Sequence, residues 1–155
     1  IGLIFVFILV LFRSLRIVGL AIWPNLLPMF AGLGLMGFIG IRVNAPLLMF
    51  AALSLGIAVD DTIHFLSALR RSFDEHRDHL RAAQDAIRTK GPAIVGTTLV
   101  IGCGFSVYLL SSFRPIQHFG WIIALSMLVA LIADLVLLPA LVLTLKPDIS
   151  RQSEA

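Results

Sequence analysis

The stretch LGIAVDDTIHFL, residues 55–66, sets Asp60, Asp61 and His64 inside a segment otherwise apolar enough to cross a membrane. A charged aspartate at the centre of a spanning helix costs about 2.5–3.5 kcal/mol on insertion scales, so two adjacent ones need a partner, a water-filled cavity or a proton. A carboxyl that takes up and releases a proton within the bilayer is the working part of a proton relay. The competing role is structural, a hydrogen bond that ties one helix to its neighbour. His64 follows Asp60 by four residues and Asp61 by three, which puts it on their helix face. It either exchanges protons with the pair or is an interfacial histidine turned toward water.

Other polar residues lie in apolar runs. Asp134, in LVALIADLVLLPAL, either joins the acidic cluster from another span or caps or bridges near its own helix end. Thr97 and Thr98, in IVGTTLVIG, either contact the aspartates from the next span or bond their own backbone carbonyls. The run GLGLMG matches the dinucleotide-binding letters G-x-G-x-x-G, but it has no strand before it and no βαβ unit around it, so close helix packing is its expected use. No Walker A pattern occurs, Cys103 is read as a small buried residue, and His76 with His79 lacks the partners of a metal site. No cofactor and no metal are expected.

These residues must be positioned by membrane helices. Of 155 residues, 59% are hydrophobic and 14% charged, where a soluble domain carries about 25% charged residues. Spans are expected at about 17–41, 46–66, 92–113 and 120–145, and residues 1–12 read as a partial span cut within a longer protein. Pro24 and Pro28 predict a kinked or irregular entry to the first full span. Residues 72–90 predict a separate amphipathic surface helix, with Phe73, His76, Leu80, Ala83 and Ile87 on one face and Gly91-Pro92 ending it. The tail 146–155 reads as disordered. With the RSLR loop at residues 13–16, the amphipathic segment and the tail on one side, arginine and lysine divide ten to two, which makes that side cytoplasmic. The fold class is therefore all-α, a polytopic transmembrane bundle of a partial helix and four spanning helices.

The runs PNLLPMFAGLGLMGFIGI, LGIAVDDTIHFL, AIRTKGPAIVGTTLVIGCGF and ADLVLLPAL together resemble the C-terminal half of resistance-nodulation-division (RND) superfamily transporters. The likeness is greatest to the MMPL-type exporters, which are related to Patched and the sterol-sensing proteins. The resemblance implies the end of span eight and spans nine to twelve of a twelve-span protein, with Asp60 and Asp61 as the acidic pair of span ten. It implies proton antiport driving efflux of lipid or other hydrophobic substrates from the inner membrane, and no enzymatic activity. His64, Thr97 and Thr98 would assist the pair, and Asp134 would stand behind it. The partners so implied are the bilayer, protons, a lipid or hydrophobic substrate and the N-terminal half of the same protein. Homo-oligomerisation is left open, and no nucleic acid is implied. Two other roles fit the scaffold: a sterol- or lipid-sensing receptor, and an accessory subunit of protein export like SecD or SecF.

Overall fold

A chain whose backbone lies in hydrocarbon must satisfy its own N–H and C=O groups, and helices do so within one segment. The computed structural model describes residues 6, 9–10, 15–41 and 45–146, and among these there is no strand. Helix α1 spans Leu15–Ile39, α2 Ala45–His76, α3 His79–Ser106 and α4 Arg114–Ile132. A five-residue π-helical turn, Ala133–Leu137, leads from α4 into α5, Leu138–Leu145. Four stretches are long and apolar enough to span a membrane: Ile17–Ile39, Met49–His76, His79–Leu110 and Arg114–Leu145. The expected partial span 1–12 and tail 146–155 fall almost wholly outside the described residues.

The helix boundaries have local causes. Helix α1 stays unbroken through Pro24 and Pro28, so the irregular entry expected there does not interrupt it. It closes in a Schellman arrangement: Gly40 turns to φ 74°, its N–H donates to Gly37 O, and Ile41 N–H donates to Met36 O.

Between α2 and α3 the chain reverses in two residues. Arg77 adopts φ 54° and donates its N–H to Phe73 O at 2.8 Å. Asp78 then caps α3, its carboxylate accepting from Leu80 N–H at 2.9 Å.

This corrects the expected surface helix over 72–90. Residues 72–76 complete α2, and residues 79–90 are the first turns of a helix that runs straight through Gly91-Pro92. The reason is packing. Gly91 and Ile94 are buried in the bundle, and a helix supported on one side tolerates the donor that Pro92 removes. The buried face also differs from the one expected: Phe73, Ala82, Ala83 and Ala86 are covered, whereas Leu80 is 52% exposed and Ile87 38%. Small alanines allow α3 to approach Leu66 and Leu69 of α2 and Leu138 and Val142 of α5.

A second apolar cluster, Met36, Phe50, Ile122, Ile123 and Met127, closes the other end of the bundle. There the approach is so tight that a Cβ on Gly32 would lie 2.2 Å from the Phe50 ring, and one on Gly120 would lie 2.6 Å from Phe105 O. The other two glycines of the GLGLMG run, Gly34 and Gly37, have no such neighbour, and neither do Gly96, Gly102 and Gly104. Cys103, expected to be buried, is exposed, because it lies on the open side of α3, the least covered of the four spans.

Candidate intramembrane polar site

An α-helix turns about 100° per residue, so three consecutive side chains look in three directions. On α2 those residues are Asp60, Asp61 and Thr62. Asp60 points out of the bundle with 75% of its side chain exposed, and His64, itself 62% exposed, stands 3.7 Å away through Nε2. Asp61 is half-buried and faces α3, where Thr97 Oγ lies 3.3 Å from both carboxylate oxygens. Thr62 is wholly buried and faces α1 and the π-helical turn.

The direction of Thr62 defines the interior of the site. Its hydroxyl donates to Asp134 Oδ1 at 2.7 Å and lies 3.4 Å from Asn25 Oδ1. Asn25, Thr62 and Asp134 are each no more than 1% exposed. Asn25 in turn donates through Nδ2 to Ala21 O at 2.7 Å, so its carbonyl oxygen is the atom turned toward Thr62. Asp134 sits in the π-helical turn, a local widening that is frequent at functional sites.

Each residue singled out by sequence now has a place. Asp61 and Thr97 come together across two spans. Asp60 and His64 form an exposed pair of the i, i+4 kind. Thr97 also keeps its backbone bond, donating to Ile94 O at 2.9 Å, so both uses weighed for it are present in one side chain. Thr98 is buried at 5% exposure, turned away from its neighbour's direction by one helical step. Asp134 joins the interior rather than capping a helix end. His76 and His79 flank the α2–α3 reversal, where the His79 ring packs 4.5 Å from that of Phe73. Among the described residues no group of three or more His, Cys, Asp or Glu side chains could hold a metal.

Sequence reasoning passed over Asn25 and Thr62. The available signal was an asparagine between two prolines in an apolar run, and a threonine adjoining an acidic pair. Each is a polar group that hydrocarbon would not satisfy.

A separate cavity of about 400 Å³ lies at the hydrophilic end of α2 and α3, lined by Ser67, Arg71, Glu75, Asp85, Thr89 and Lys90. It is braced by Ser72 Oγ donating to Asp85 at 2.7 Å.

With this geometry in place, comparison with known proteins adds the family context. The model of the MMPL family matches residues 1–152. ActII-3 of Streptomyces coelicolor is 33% identical over 103 residues, which is 66% of this chain and 14% of ActII-3. The chain thus spans about a seventh of the length of that relative. No solved structure matches the chain at a significant level.

Proposed function

We propose, on the premise that this chain belongs to the MMPL family, that it forms part of a proton-driven exporter of lipid or other hydrophobic molecules. The observation that carries this reading is the half-buried Asp61 carboxyl, set between two spans with the Thr97 hydroxyl against it. A carboxylate within a membrane span is short of the hydration it would have in water, and binding a proton lowers that cost. Alternate exposure of such a group to the two sides of a membrane turns a proton gradient into work. One charge crossing 100 mV supplies about 2.3 kcal/mol.

In this reading Asp60 and Asp61 are the proton-carrying pair and His64 exchanges protons with Asp60 at the bundle surface. Asp60 faces the remainder of the longer protein, since the described bundle leaves it uncovered. The hydrophilic ends of α2 and α3 and the C-terminus lie on the cytoplasmic side, in accord with the arginine and lysine bias.

The test is proton-gradient-dependent export by the intact protein in vesicles, with Asp60→Asn and Asp61→Asn at matched expression. Loss of export in a variant that remains folded in the membrane supports the relay. Export by both variants at the wild-type rate refutes it.

A further inference from the structure

Counting hydrogens in the buried cluster reveals a deficit. Three oxygens converge there, Asn25 Oδ1, Thr62 Oγ and Asp134 Oδ1, and only Thr62 brings a hydrogen to them. The Asn25 amide nitrogen is turned the other way, toward Ala21 O, so the atom that faces Thr62 is the carbonyl oxygen, which can only accept. When Asp134 is ionised it can only accept, so the Thr62 hydrogen points to it and Asn25 Oδ1 receives nothing from Thr62. The distances, 2.7 Å to Asp134 against 3.4 Å to Asn25, match that arrangement.

Adding one proton to the carboxylate changes the pattern. A protonated Asp134 can donate to Thr62 Oγ, which releases the hydroxyl hydrogen to Asn25 Oδ1. The bonds then run in one direction, Asp134 to Thr62 to Asn25, and join the last span, α2 and α1. A buried acceptor left without a donor is costly, so the second pattern is the better satisfied of the two.

We propose that Asp134 is a further proton-binding site, and that Thr62 reads its state by donating to Asp134 when that group is ionised and to Asn25 when it is protonated. The site deepens the relay reading given above and rests on it for its part in transport. The binding itself is a simple protonation, carboxylate plus a proton from water giving carboxylic acid. Its mechanical result is that the Thr62–Asn25 contact shortens and draws α1 toward α2. Asp134 lies in the π-helical turn, where the backbone already departs from regular α-helix at the point that must accommodate this change.

On α2 the carboxyl next to Thr62 in sequence is Asp61, which turns to Thr97 of α3. Helix α1 has no titratable side chain between Ile17 and Ile39, and the part of α3 from Gly91 to Ser106 has only the exposed Cys103. Lys90 lines the separate hydrophilic cavity. Along α4 the titratable groups are Arg114 and His118, at the start of the helix and distant from the turn.

The experiment is infrared difference spectroscopy of the intact protein in lipid, titrated over the pH range in which it stays folded, reading the carbonyl stretch of protonated carboxyls. A pH-dependent band should be lost in Asp134→Asn, retained in Asp61→Asn, shifted in frequency in Thr62→Val and restored to its wild-type position in Thr62→Ser. The pH profile of export should shift in Thr62→Val and not in Thr62→Ser. If Asp134→Asn removes no band, or if Thr62→Val leaves every band in place, the proposal is wrong. Should Asp134→Asn fail to assemble, the Thr62 pair of variants decides alone. Because the spectrum needs no export, failure of this site is distinguishable from failure of the Asp61 relay, which the vesicle assay reads.

Discussion

Asp60, Asp61 and Thr62 are chemically similar neighbours in sequence that meet three different surroundings: outward exposure, a hydroxyl on α3, and a closed polar pocket. Adjacent positions on one helix should therefore answer differently to substitution. His64→Gln is expected to leave the fold intact, since the histidine's contact with Asp60 is an exposed one. A thermal melt in detergent that drops by many degrees would contradict this. Thr97→Val removes the hydroxyl that meets Asp61 while keeping the shape of the side chain. An interhelical hydrogen bond in a membrane is worth about 0.6–1.7 kcal/mol, so export should fall about 3- to 20-fold at matched protein levels. Thr97→Ser should recover most of it, and an unchanged rate in Thr97→Val would show that the contact is incidental.

At the scale of elements, bundle cohesion in lipid comes from close approach, because hydrocarbon outside is as apolar as the side chains inside. Gly120 faces a backbone oxygen, Phe105 O, which cannot move aside as a side chain can. Gly120→Ala is expected to cost about 1–3 kcal/mol through overpacking and to lower the midpoint of unfolding in detergent. Gly32→Ala meets the Phe50 ring instead, so it should be rescued by Phe50→Leu in the double variant. Absence of that rescue would place the clash elsewhere. The continuity of α3 through Gly91-Pro92 makes a further prediction. Pro92→Ala restores a backbone donor within a helix that already exists there, and it should be tolerated or slightly stabilising, whereas a true boundary at Pro92 would make it disruptive.

For the whole molecule, the stretch His79–Leu110 is the least covered span, and Leu99, Val100, Val107 and Leu110 stand exposed along it. The chain spans 14% of the length of ActII-3. The proposed orientation is checked on the intact protein by thiol labelling. After Cys103→Ser removes the exposed native thiol, Glu75→Cys should react with a membrane-impermeant reagent from the cytoplasmic side, and Ser112→Cys from the opposite side. The reverse pattern would invert the topology.

Sequence alone determined that this is a membrane bundle and which carboxyls are out of place in it. Apolar runs long enough to span, broken by charges that hydrocarbon rejects, depend on composition and local order, and both are written along the chain. The resemblance to the MMPL family was legible for the same reason. What the sequence could not determine was how helices meet. The reversal at Arg77-Asp78 and the passage of α3 through Pro92 follow from which faces pack, and packing outweighed the local Gly-Pro signal. The buried trio of Asn25, Thr62 and Asp134 is separated by 37 and 72 residues along the chain. Only the tertiary structure brings these side chains together, because a hydrogen bond depends on distance and direction in space rather than on spacing in sequence.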